Sequence, residues 1–174
     1  MRHPLHLFEH CPVCGSEHFV ENDEKSKRCD DCSFVYYINP SSAFVAFVTD
    51  GCGRLLVERR GREPACGTLD LPGGFADIGE TAEQGLAREV KEETGLVVST
   101  ARYLFSVPNT YLFSRLSIPT LDMFFQCEVD DEAMLRAGDD ASECFWMPIS
   151  EINVKDFGLH SIRVGLRRYL MSQH

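Results

Sequence analysis

Two periods of apolar and polar residues run along this chain. Residues 43–49 (AFVAFVT) form an apolar run rich in β-branched and aromatic side chains, the pattern of a buried strand. Asp50-Gly51-Cys52-Gly53 has hairpin-turn composition, and residues 54–60 return as a strand. There Leu55 and Val57 fall on one face, Leu56 and Glu58 on the other. The period then changes. Ala82, Leu86 and Val90 recur at helical spacing; Thr81 can cap the helix with Gln84 at the capping-box position, and Gly95 ends it. Residues 97–107 and 120–129 read as strands, with Pro108-Asn109-Thr110 interrupting the first. Residues 130–138 read as an acidic turn or short helix, 143–146 as a short strand ending at Pro148, and 149–152 as a helical turn. Ile162, Leu166 and Leu170 predict an amphipathic helix over 160–171. Ahead of all this, only residues 18–20 and 26–28 suggest short strands, and Asn39-Pro40-Ser41-Ser42 is a turn cluster. The pattern predicts an α+β chain with a small domain at 1–39 and a larger one at 40–174.

Composition narrows the class. The chain has 174 residues, is 44% hydrophobic and carries a formal net charge of −10. That charge disfavours broad electrostatic binding to nucleic acid or an anionic membrane. A small phosphorylated substrate stays open, because a bound metal can reverse the local sign. No stretch approaches the roughly 20 apolar residues of a membrane span, and residues 1–10 lack the long apolar run of a secretory signal. A cytoplasmic location is expected.

The first forty residues carry Cys11-Pro-Val-Cys14 and Cys29-Asp-Asp-Cys32, spaced close to a four-cysteine zinc pattern. Four thiolates would close the coordination shell, so such zinc would be structural. It would stabilise a segment too short to bury much core. Two disulfides or a redox CxxC are the competing readings, and a cytoplasmic setting fits disulfides badly. His3, His6, His10 and His18 surround the pattern and read as surface residues. Cys52, Cys66, Cys127 and Cys144 have no motif spacing and read as buried small residues or plain surface thiols.

Glu89, Glu92 and Glu93 share one face of the predicted helix. Like charges so placed destabilise a bare helix, and hard divalent cations would relieve them. A solvated acidic face is the simpler alternative. Asp70-Leu71-Pro72-Gly73-Gly74 precedes the helix as a rigid turn whose glycines let backbone approach a ligand. Arg59, Arg60 and Arg62 are candidate phosphate clamps, or charge balance at a strand end.

The run from Gly74 is G-x5-E-x7-R-E-V-x-E-E-x-G-L, and it resembles the Nudix box at every defined position: Gly74, Glu80, Arg88, Glu89, Val90, Glu92, Glu93, Gly95 and Leu96. The resemblance implies the Nudix fold, a mixed sheet between helices, over about residues 40–174, behind a four-cysteine zinc ribbon. It implies Glu89 and Glu93 as principal Mg²⁺ or Mn²⁺ ligands, Glu92 as a further ligand, and the Gly73 carbonyl as a backbone ligand. Arg88 is expected to orient the glutamates, with its i,i+4 spacing to Glu92 fitting that role, and Glu80 to support them. Glu143, just before Trp146, resembles the glutamate that supplies another ligand or the general base.

The ribbon-plus-box layout resembles the NADH pyrophosphatase branch, which implies cleavage of a pyrophosphate bond in NADH, NAD, ADP-ribose or a related nucleoside diphosphate derivative. That branch carries S-Q-P-W-P-F-P-x-S; here the matching stretch is Ser106-Val107-Pro108-Asn109-Thr110-Tyr111, without the Gln, the Trp and the later prolines. Tyr111 or Phe113 could stack on a base or belong to the core. The residues assigned to the substrate are Arg59, Arg60 and Tyr111. A homodimer is compatible with this architecture. A ligand-binding or regulatory module, with the ribbon on a protein partner, is the alternative; the loss of box glutamates that would favour it is not seen.

Overall fold

The computed structural model describes residues 2–130, 135–136 and 141–172. Most of the acidic stretch expected at 130–138 lies outside the described residues. The chain divides into two compact units, residues 1–41 with 110–120, and residues 42–109 with 121–174.

In the first unit β1 (Phe19–Asp23), β2 (Ser26–Cys29) and β3 (Val35–Tyr37) form an antiparallel sheet in the order β1-β2-β3. The third strand is absent from the sequence expectation. Cys11, Phe19 and Cys29 are its buried apolar centre, with Phe8 and Phe34 packed against them. So small a core cannot hold such a fold unaided.

The second unit takes its shape from strand alternation. β4 (Ser41–Val48) sends Val45 and Phe47 to one core and Phe44, Ala46 and Val48 to another. β5 (Arg54–Arg60) does the same, with Leu55 and Val57 on the first side and Leu56 on the second. β6 (Leu69–Asp70), α1 (Ala82–Thr94), β7 (Val98–Phe113), β8 (Leu116–Val129), β9 (Ala141–Pro148) and α2 (His160–Met171) follow. They build two three-stranded sheets, ordered β4-β8-β7 and β6-β5-β9. α1 covers one side through Leu86 and Val90, α2 the other through Ile162, Leu166 and Tyr169. This is the helix-flanked α+β arrangement expected, with the sheet in two parts. The turn after β4 is fixed by Asp50, whose Oδ1 accepts from the Cys52 and Arg54 amides.

β7 runs straight through Pro108-Asn109-Thr110, where an interruption was expected. β7 is an edge strand, so the N–H that Pro108 lacks need not cost a ladder bond. It turns into β8 through Ser114 and Arg115, both at positive φ as a tight hairpin demands.

α1 has the ends its sequence announced. Thr81 accepts from the Gln84 amide while the Gln84 side chain accepts from the Thr81 amide, and Gly95 at φ 74 closes the C-terminus.

Candidate active site and metal centre

The loop before α1 is stitched to β4. The amides of Phe44 and Ala46 donate to the carbonyls of Gly74 and Pro72, each at 2.8 Å. Gly73 lies between those two carbonyls, with its amide donating to Glu93 Oε2 at 2.8 Å. At φ 153 a Gly73 side chain would also stand 2.0 Å from the Phe44 carbonyl oxygen, so only glycine fits. Gly74 leaves room for an acid: a Cβ there would lie 2.4 Å from the Glu89 carboxyl carbon.

Arg88 is the hub of the box. Its guanidinium donates to Glu80 at 2.7 and 3.0 Å, to Glu89 at 2.9 Å, to Glu92 at 3.2 Å and to the Phe75 carbonyl at 3.1 Å. The planar fork can serve several carboxylates at once, which a lysine could not. These bonds, to Glu80 first, raise the Arg88 pKa and fix its charge. The Arg88 hydrogen bond lowers the Glu80 carboxyl, while burial raises that of Glu89 against the same arginine. The i,i+4 pairing of Arg88 with Glu92 that the spacing suggested is present as a hydrogen bond.

Glu93 is handled differently. It turns from Arg88 toward the Gly73 amide, and burial, with the charge of Glu58 next, pushes its carboxyl up to about 10. Glu58 is 5% exposed and faces the side that Leu56 shares with α1. Sequence reasoning placed Glu58 beside Leu56 yet gave it no role; an acid on the inward face of a buried strand was the available signal. Cys144, opposite Glu58 across β5 and β9, donates from Sγ to the Glu93 carbonyl at 3.5 Å.

The remaining expected residues divide. Arg59 and Glu143 sit opposite each other on β5 and β9 and form an ion pair at 3.0 Å, so the candidate phosphate clamp and the candidate base hold one another. Arg60 is held inward, on the buried Asp70 and on the Pro64 carbonyl. It anchors the strand that leads into the glycine turn, where a substrate clamp was expected. Asn109, standing at the tryptophan position of the branch motif, donates to Asp122 at 3.0 Å and to Ser161 at 3.1 Å. It ties β7, β8 and α2 together. Tyr111 belongs to the unit that contains the four-cysteine sheet and is half-buried there.

In that unit Cys11, Cys14, Cys29 and Cys32 bring their sulfurs within 4.8 Å of one another. Cys11 and Cys32 stand 3.7 Å apart, Cys14 and Cys29 3.5 Å. A disulfide requires about 2.05 Å. A tetrahedron with metal–sulfur bonds of about 2.3 Å has edges of about 3.8 Å, which these distances approach. The Cys32 amide, foremost, draws Cys29 down to about 7, while neighbouring thiols, against the Ser16 amide, push Cys14 up to about 12. The spacing of the four sulfurs fits a zinc ribbon. His18 pairs with Asp31 at the rim and leaves the four sulfurs to themselves.

A hub arginine, an acid-bearing helix and a glycine turn on a helix-flanked sheet define a known class: the model of the NUDIX domain matches residues 39–168, and the chain belongs to that family. Among named relatives, it is 28% identical over 151 residues to the NAD-capped RNA hydrolase NudC of Vibrio cholerae, across 86% of this chain and 53% of that protein. To the NudC of Vibrio atlanticus it is 33% identical over 106 residues, across 61% and 39%. The chain spans about half the length of these curated relatives or less. A NUDIX hydrolase from Nitrosomonas europaea superposes with a TM-score of 0.74 at 25% identity, over 95% of this chain and 92% of that one. The NUDIX domain of Shewanella oneidensis NrtR, solved with ADP ribose, shares the fold at a TM-score of 0.61 and 20% identity, over 78% and 88%.

Proposed function

We propose that this chain is a metal-dependent pyrophosphohydrolase acting on a nucleoside diphosphate linked to a second group, with NADH, NAD and ADP-ribose as the leading substrate class. The observation that carries the reading is the Arg88 hub, which aims Glu89 and Glu92 beside an inward-turned Glu93. A solvated acidic face would not gather its carboxylates on one arginine and one backbone amide.

Glu89, Glu92, Glu93 and Glu143, with the Gly73 carbonyl, would hold Mg²⁺ or Mn²⁺. The donor set fits, being hard oxygen throughout. Such a cation, when bound, neutralises phosphate charge and lowers the pKa of a coordinated water. The chain's own residues do the rest. Arg88 fixes the glutamates, so no reorganisation is needed at reaction. Glu143 accepts the proton from the attacking water at a carboxylate oxygen, and Arg59 orients that carboxylate. The water oxygen bonds to phosphorus as the bridging phosphorus–oxygen bond breaks, giving two phosphate-bearing products.

In this reading Zn²⁺ on Cys11, Cys14, Cys29 and Cys32 is structural, because four thiolates leave no open position. Among the described residues no helix is long and apolar enough to cross a membrane, which accords with a cytoplasmic enzyme. A homodimer belongs to the same proposal.

The test is a turnover panel with Mg²⁺ and Mn²⁺: NADH, NAD⁺, ADP-ribose, diadenosine polyphosphates, 8-oxo-dGTP and, given the relatives' names, NAD-capped RNA. Turnover of the dinucleotides and ADP-ribose is expected. The −10 net charge predicts that capped RNA is no better a substrate than the free dinucleotide. Binding without turnover across the panel would move the chain to the ligand-binding reading.

A further inference from the structure

Arg59 stands on the middle strand of the sheet ordered β6-β5-β9, opposite Glu143 on β9 and Leu69 on β6. Its guanidinium makes two bonds from different nitrogens. Nε donates to Glu143 Oε2 at 3.0 Å, and Nη1 donates to the Gly67 carbonyl at 2.9 Å. Gly67 belongs to the turn at 61–68 that joins β5 to β6. Arg59 is thus a crossbar between that turn and the candidate general base.

The turn is built to hold that carbonyl still. The Gly67 amide donates to the Arg60 carbonyl at 2.8 Å and the Arg60 amide to the Thr68 carbonyl at 2.9 Å, which closes the neck. The Thr68 hydroxyl donates to the Ala65 carbonyl at 2.6 Å, and Arg60 Nε to the Pro64 carbonyl at 2.8 Å. Ala65 at φ 65 and Gly67 at φ 81 fold the chain back on itself. From outside, Gly158 lies so close that a Cβ there would stand 2.2 Å from the Thr68 hydroxyl. Glu143 and Arg59, by contrast, are open to solvent, with side chains 61% and 40% exposed. An exposed ion pair on its own contributes little, because two long side chains must give up their freedom to form it. A second, rigid anchor on Arg59 removes much of that freedom in advance.

We propose that the Gly67 carbonyl is a positioning group for Glu143 and acts through Arg59, so that the 61–68 turn sets where the base carboxylate stands. The inference rests on the reading of Glu143 as the general base. A base must reach the attacking water, and a displaced carboxylate loses rate without loosening the substrate. Gly67 and Thr68 enter the reaction only through Arg59.

The test is kcat and KM for ADP-ribose with Mg²⁺ in Gly67→Val, Gly67→Asn and Thr68→Val, each alone and combined with Arg59→Ala. Beside it, NMR follows solvent exchange of the Arg59 Nε–H without added Mg²⁺ or Mn²⁺. A β-branched residue is strained at φ 81 while the space around a Gly67 Cβ is open, so Gly67→Val moves the carbonyl without a clash. Thr68→Val keeps the shape and removes the hydroxyl bond. Both should lower kcat by about tenfold with KM within about twofold, and speed Nε–H exchange by about tenfold. Gly67→Asn should recover most of each, because asparagine tolerates the left-handed region. Combined with Arg59→Ala, neither should lower kcat further. Wild-type kcat in both variants, unchanged exchange, or a loss that adds to that of Arg59→Ala would overturn the proposal. Full turnover in Glu143→Gln would overturn the base reading and this proposal with it.

Discussion

The molecule has two candidate metal sites, and they are assembled in opposite ways. Around Cys11, Cys14, Cys29 and Cys32 the ligand atoms already stand at nearly tetrahedral separations. At the box they do not. Glu89 and Glu92 are held by Arg88, and Glu93 by the Gly73 amide. Among the described residues, no group of three carboxylate-bearing residues converges as the sulfurs do. Thiols can crowd because most stay neutral until a metal arrives. Carboxylates cannot, so the fold stores them on internal donors. A closed, pre-assembled site suits an ion that never leaves; a partitioned one suits ions that come and go with substrate.

The sharpest way to break this comparison is to remove one sulfur. Cys29→Ser should release the zinc and leave residues 1–41 open to trypsin. Structural zinc contributes an apparent free energy on the order of 10–16 kcal/mol in small modules, and nothing in a core of Cys11, Phe19 and Cys29 replaces it. A zinc-free variant that resists trypsin would show that the ribbon folds without metal.

Next in size is the hub. Arg88→Ala should lower turnover by about 10–100-fold, and Arg88→Lys should recover little of it, since a point charge cannot serve three glutamates. A steady-state comparison of the two variants checks this. Gly74→Ala should lower kcat/KM by about tenfold while expression stays normal, because the new methyl meets the Glu89 carboxylate and displaces it.

Proton competition separates the sites more finely. Burial and Glu58 raise the Glu93 carboxyl from 4.5 to about 10. In the metal-free protein this group's contribution to stability is full below about 4.5 and is lost as pH climbs toward 10. Metal must displace that proton, so apparent Mn²⁺ affinity should climb by about tenfold per pH unit between about pH 7 and about pH 9. A flat Mn²⁺ titration over that range would place the metal away from Glu93. The smallest effect is local: Thr81→Ala removes the cap of α1 and should cost about 1 kcal/mol, a fall of about 2–4 °C in thermal midpoint, with the ribbon's zinc retained.

What was legible in the chain was local. The capping box at Thr81 and Gln84, the stop at Gly95, the alternation of β5 and the two CxxC pairs are each written within a few residues, and each took the predicted form. The features that escaped depend on partners distant in sequence. Pro108 reads as a break until β7 is known to lie at a sheet edge. Arg60 reads as a phosphate clamp until Asp70 lies beside it. Glu58 reads as an ordinary strand residue until β6 and β9 enclose it. The grouping of residues 110–120 with the four-cysteine sheet has no sequence signal at all, because it belongs to tertiary packing.

The central claim is that the box carboxylates hold the catalytic divalent ion and that the fold does not depend on it. Glu93→Gln tests it most directly, read by Mg²⁺-dependent turnover of ADP-ribose beside the near-ultraviolet circular dichroism of the same sample. An unchanged spectrum and turnover lower by about 10²–10³-fold or more are expected. Full turnover in Glu93→Gln would contradict it.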